Sequence, residues 1–147
     1  MNKIAVGLVV FINMFTYAYG QKSISWATLS KVRFTEKYFP AYKETYLHPT
    51  FSSTVKALNG QMIRIKGYFL NLDPKGQLYM LSKGPMAACY FCGVGGPETA
   101  IELVFDTQQK LPTDTPVIVV GKLELNDSDI EHFNYILKNC KMERIKA

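Results

Sequence analysis

Cysteine and histidine are scarce in this chain, with three of the former and two of the latter among 147 residues. Cys89 and Cys92 form one C-x-x-C and no second one follows, which excludes a four-thiolate zinc site made by this chain alone. Neither His48 nor His132 stands at a recognisable spacing from that pair. No Ser/His/Asp or Cys/His arrangement and no convincingly spaced carboxylate pair is present, so nothing supports a hydrolase. Like charges form no run: Lys31, Arg33, Lys37, Lys43, Arg64, Lys66, Lys138 and Lys141 are scattered, which fits a solvated surface and no nucleic-acid groove. The glycines at 93, 95 and 96 lack the Gly-Lys-Ser/Thr of a phosphate loop. Asn126-Asp127-Ser128-Asp129 lacks the glycine and terminal glutamate of a calcium loop. Low-complexity tracts and linkers are also missing, which leaves one domain.

Long apolar runs are absent except at the N-terminus. Lys3 precedes the apolar stretch Ile4–Ile12, and small residues close the segment at Ala18-Tyr19-Gly20. That is the pattern of a secretory signal peptide over residues 1–20. The run is short for a bilayer span of about 20 apolar residues. The expectation is a mature domain over residues 21–147, periplasmic or secreted, without stable membrane insertion after cleavage. The net charge is +5, of which Lys3 supplies one.

After the leader, Ser25 is placed to cap a helical turn carrying Trp26 and Leu29. Residues 31–50 read as aromatic and irregular, with Tyr38, Phe39, Tyr42 and Tyr46 covering an open end of the fold. Ser52 or Ser53 begins a short helix that faces Val55 and Leu58 inward and stops at Asn59-Gly60. From there the period changes to two. Runs at 62–73, 76–82, 99–106, 116–127 and 132–144 predict five strands, the first two joined by the turn Asp73–Gly76. Gly67 and Gly121 sit mid-strand, where a small barrel turns its corners. The predicted fold is mainly β: a five-stranded, antiparallel, OB-like small barrel with short N-terminal helices. The alternative is an open antiparallel sheet with the helices on one face. Tyr68 and Tyr79, with Arg64 and Lys66, would form a ligand face on such a barrel; the simpler reading makes the aromatics filling.

Between the second and third strands lies the most distinctive element, Cys89-Tyr90-Phe91-Cys92-Gly93-Val94-Gly95-Gly96-Pro97-Glu98. Together with Trp26 and Leu29, and with Val55, Leu58, Gly60, Ile63, Ile65, Gly67 and Tyr68, it resembles an uncharacterised family of small exported bacterial proteins. That family shares a C-x-x-C-G-x-x-G-P-E element. The resemblance covers most of residues 25–140 and implies export and metal handling, but no established activity.

The residues themselves leave several chemistries open. As a metal knuckle, Cys89 and Cys92 would bind zinc or a similar soft divalent ion, with backbone N–H groups reaching the sulfurs and Gly93 shaping the turn. Glu98 is the candidate third ligand; Asp106, His48, His132, Cys140 or an envelope protein partner would supply the rest. As a disulfide, the pair would staple the loop of a binding or scaffold module in an envelope protein complex. A thiol oxidoreductase fits less well, because the Gly-Val-Gly-Gly-Pro that follows cannot form the helix such sites use. Two buried free thiols are the remaining case. Cys140, among Tyr135, Ile136 and Leu137, reads as a core position.

Overall fold

The computed structural model describes residues 20–73, 75 and 78–146. The expected signal peptide lies, apart from Gly20, outside the described residues, as do Pro74 and Gly76 of the predicted Asp73–Gly76 turn. No helix among the described residues is long and apolar enough to cross a membrane.

In chain order the elements are β1 (Lys22–Ser23), α1 (Trp26–Leu29), β2 (Val32–Phe39), β3 (Glu44–Phe51) and α2 (Ser53–Lys56). They continue with β4 (Met62–Asn71), β5 (Tyr79–Ser82), β6 (Ala100–Leu103), β7 (Thr115–Leu125) and β8 (Tyr135–Arg144). The last five strands coincide with the five period-two runs and close into a barrel in the order β4-β5-β6-β8-β7, with β7 returning to β4. All seams are antiparallel except one, where β6 runs parallel to β8 with Glu102 opposite Ile136 and Leu103 opposite Leu137. The all-antiparallel barrel expected from sequence is corrected here by parity: an odd number of strands cannot alternate direction around a closed ring. The result is an OB-like barrel with a single parallel seam.

The barrel core follows from the alternation of β4 and β7. Ile63, Ile65 and Phe69 from β4 and Val117, Val119 and Leu123 from β7 point inward and are buried. Gly67 and Gly121 occupy the same inward series. A Cβ on Gly67 would lie 2.6 Å from the Ser82 carbonyl oxygen, and one on Gly121 would lie 3.0 Å from that of Lys138. Each glycine faces a bulky partner, Val117 across from Gly67 and Ile63 across from Gly121. At Gly121 the β7–β8 register slips, and Asn139 takes a left-handed φ of 54° in the bulged strand. These are the barrel's corners, where strands approach too closely for a side chain.

The short helices turn Leu29, Val55 and Leu58 into the core, the last two as expected. Ser52 Oγ accepts from the Val55 N–H at 3.3 Å, and Val55 and Leu58 are buried in the core. Trp26 donates its indole N–H to the Lys66 carbonyl at 2.8 Å. The buried Tyr135 hydroxyl donates to the Leu29 carbonyl at 2.7 Å, tying α1 to the start of β8.

Residues 31–50 differ from expectation. They form a regular hairpin in which β2 pairs with β3 from Val32–Phe51 to Phe39–Glu44, turning at Lys43 with φ 57°. Most of its residues are exposed, so no alternating apolar face marked it as strand. Tyr38 and Tyr42 lie exposed towards its tip instead of covering the barrel.

Candidate functional site

The cysteine element is part of a loop over residues 83–99 that leaves the barrel after β5 and re-enters at β6. Its ends are pinned by the Lys83 N–H donating to the Thr99 carbonyl at 3.0 Å. The Met86 N–H donates to Asp114 Oδ1 at 2.7 Å, fastening its first turn. Glycine and proline break the segment into three single turns of 3-10 helix, Met86–Ala88, Tyr90–Cys92 and Pro97–Thr99. Gly93 (φ 78°) and Gly95 (φ 82°) take left-handed conformations that other residues seldom adopt.

The two thiols face each other, with Sγ atoms 3.6 Å apart. They sit in unequal surroundings. Cys89 is buried among Leu70, Met80 and Ala100, a small apolar cluster outside the barrel. Cys92 is exposed, and its thiol donates to the Met86 carbonyl at 2.9 Å. Past Cys92 the backbone N–H groups are not aimed at sulfur as a metal knuckle would have them. Instead Gly93 donates to the Tyr90 carbonyl at 2.9 Å and Val94 to that of Cys89 at 3.3 Å. The Cys92 thiol is pushed up from its ordinary value, chiefly by its hydrogen bond with Cys89, then by desolvation.

Glu98 lies on the last turn of the loop, Pro97–Thr99. Its carboxylate folds back over Gly96, where any Cβ would collide with it. Its turn packs against α1. After burial, its charge is the second factor raising the Tyr135 hydroxyl. Among the described residues no group of three or more His, Cys, Asp or Glu side chains is placed to hold a metal ion. Cys140 packs against the barrel core as expected. Burial pushes its thiol up to about 12, and Sγ donates to the Leu137 carbonyl at 3.1 Å. His48 is half-buried on β3, its ring 6.3 Å from that of Phe39. Tyr79 lies inside the barrel against Phe69 and Phe105, in line with the simpler reading, and Tyr68 is half-buried beside the Cys89 cluster.

Beside the cysteine loop opens a cleft of about 440 Å³. Three segments far apart in sequence wall it: the hairpin with Phe39 and Tyr46, the cysteine loop with Tyr90 and Phe91, and the β7–β8 loop with Phe133. The Phe91 ring centre lies 5.4 Å from that of Tyr90 and 5.7 Å from that of Phe133. Phe91 nevertheless leaves 57% of its surface to solvent.

The β7–β8 loop has a firm frame. Asn126 Oδ1 accepts from the Asp129 N–H at 3.0 Å while its Nδ2 donates to the Asp129 carbonyl at 2.6 Å. Glu102, buried on β6, takes the Phe133 N–H at 3.1 Å and lies 2.8 Å from His132 Nδ1. That ion pair raises His132 above its ordinary value, first through the hydrogen bond to Glu102 and then through its charge; desolvation opposes this, and Asp129 and Glu131 add to it. His132, isolated in sequence, is thus the hydrogen-bonding partner of a buried carboxylate. The available signal was Glu102 itself, a lone carboxylate inside the apolar run Ala100–Phe105.

No family model matches the chain, and no curated protein matches it in sequence. Its chemistry has to be read from its own atoms.

Proposed function

We propose that this is an exported, non-catalytic binding module of the periplasm or cell exterior, serving an envelope protein complex. Its ligand cleft lies between the hairpin, the cysteine loop and the β7–β8 loop. The carrying observation is that convergence: rings from three separate segments meet at one open cleft, and the one that protrudes furthest, Phe91, stands between Cys89 and Cys92. Joining the two sulfurs fixes that wall. They need close only from 3.6 Å to a bond of about 2.05 Å. In an oxidising compartment such a staple persists.

Thiol counting and binding test the two halves of this reading. Denatured but unreduced protein should expose one alkylatable thiol, Cys140, out of the three cysteines. Phe91→Ala should abolish peptide binding to the cleft without unfolding the chain. Three free thiols in protein purified from the envelope, together with metal-free composition, would sink the staple. Ligand binding indifferent to Phe91 would sink the cleft.

A second reading keeps the metal. Two thiolates bound at about 2.3 Å to one tetrahedral zinc stand about 3.8 Å apart, close to the 3.6 Å found here. Cys89 and Cys92 would then be ligands, and Glu98 would have to swing off Gly96 to join them or leave its place to a partner's side chains. Three alkylatable thiols with near-stoichiometric zinc, lost in Cys92→Ser, would select this reading.

A further inference from the structure

The cleft's own lining narrows the chemistry of its ligand. The chain carries 17 Lys and Arg against 12 Asp and Glu, yet among the described residues none of those cations lines the cleft, and His132, which does, is paired with Glu102. Asp127, Asp129 and Glu131 do, and all three are exposed. Phe133 of the same loop lines the cleft too, with Tyr46 and Phe91 from the other two walls, and aromatic ring faces carry negative partial charge. Carboxylates and ring faces favour the same guest, a cation on an apolar stem. The protein makes one such contact itself, with Lys37 Nζ 5.4 Å from the ring centre of Phe39, a lining residue.

The shape adds a second constraint. β3 borders the cleft through Thr45 and Leu47, and its two-stranded sheet leaves β3 with β2 as its strand partner and one edge unpaired among the described residues. Thr45 and Leu47 offer outward N–H and C=O groups to an extended chain there, and the run of donors ends at Pro49, which also lines the cleft and has no N–H. A small organic cation would use the rings and carboxylates and leave that edge unused.

We infer that the cleft binds an extended peptide segment bearing arginine or lysine. Its backbone lies along β3, and its cation sits between the Asp127–Glu131 carboxylates and the Phe91 and Phe133 rings. This rests on the binding-module reading and specifies its ligand class. Exposed charge contacts are individually weak, so selectivity comes from several acting together and declines with salt.

Fluorescence anisotropy on the full chain tests it with three labelled octapeptides, in which valine alternates with arginine, glutamine or glutamate. The arginine peptide should bind about tenfold more tightly than the glutamine peptide, the sum of two or three exposed charge contacts. Added salt should shrink that gap. Combined D127N, D129N and E131Q should remove most of it; these isosteres leave Asn126 and Glu102 untouched, and an amide oxygen at 129 still accepts the Glu131 N–H. Asp127→Lys should shift preference towards the glutamate peptide. Equal binding of the arginine and glutamine peptides, or a triple variant with unchanged selectivity, overturns the inference. Binding that requires Phe91 but ignores charge leaves the binding module standing and removes the cation. If none of the three peptides binds in a Phe91-dependent way, both readings fall. Free arginine amide competing as tightly as the octapeptide would overturn the extended-segment part.

Discussion

Phe69 lies wholly inside the barrel with its ring centre 5.5 Å from that of Tyr79, whereas Phe91 touches Phe133 and leaves more than half its surface to water. The barrel buries rings because its strands alternate and its ring of hydrogen bonds closes, so each inward side chain meets others on all sides. The cysteine loop has neither device. It is a chain of single turns pinned at its base, and its one buried member, Cys89, sits in a separate small cluster. Apolar surface that the barrel uses for stability is left by the cleft for a ligand. The difference teaches that in this fold stability and recognition reside in different aromatic sets, which can be altered separately.

Truncating each ring is the sharpest test of that separation. Phe69→Ala should cost about 3–5 kcal/mol, the lost transfer energy plus the cavity left in a closed core. Phe91→Ala should change stability by no more than about 0.5 kcal/mol, as an exposed substitution does. Urea denaturation of both variants measures the contrast. Similar losses in the two would mean that Phe91 is structural, and the comparison would break.

Glycines extend the comparison at a smaller scale. Gly67 is needed for space, since an added Cβ would meet the Ser82 carbonyl at 2.6 Å and Leu81 Cγ at 2.9 Å. Gly93 is needed for conformation alone: its φ is 78°, yet a Cβ there would have nothing within 4 Å. Gly67→Ala should therefore cost about 2–3 kcal/mol by forcing strands apart, and Gly93→Ala about 1 kcal/mol of local strain. The first should lower the global unfolding midpoint. The second should loosen only the cysteine loop, visible as faster amide exchange between residues 89 and 96. A global loss from Gly93→Ala as large as that from Gly67→Ala would show that loop and barrel unfold as one.

The barrel was legible in the sequence because its signals are local. Ile63, Ile65 and Phe69 alternate with polar neighbours, Gly67 and Gly121 mark corners, and Ser52 stands where a cap belongs. The parallel β6–β8 seam was implied by five strands in a ring, but no residue advertises it. The β2–β3 hairpin escaped notice because both of its faces meet water for most of its length, so its periodicity carries no apolar signature. The cleft had no signature either. Phe39, Phe91 and Phe133 come together only through tertiary packing, and no spacing between them in the chain predicts it. Glu98 was placed with the thiols by nearness in sequence; that its carboxylate lies over Gly96 shows only in the folded chain.

The smallest expected effect concerns the cleft's most exposed frame, the Glu102–His132 pair. The hydrogen bond to Glu102 comes first among the causes that lift His132 above 6.5. A histidine whose folded value exceeds its unfolded one stabilises the fold fully below the unfolded value. That contribution is lost as pH rises through the folded value. The β7–β8 loop should therefore be tightest below about pH 6.5 and loosen above it. The imidazole is half exposed, so the change should stay under about 1 kcal/mol, well below what Phe69 or Gly67 controls. Ring-proton NMR should place the His132 midpoint above 6.5, and Glu102→Gln should lower it; Asp129 and Glu131 would keep part of the rise. Amide exchange across residues 126–134, corrected for the intrinsic effect of pH, should quicken over the same interval while barrel amides stay protected. A midpoint at or below 6.5, or one indifferent to Glu102→Gln, would mean that the pair does not hold the loop, and that the cleft's third wall depends on Asn126 and on the Phe133 N–H bond to Glu102.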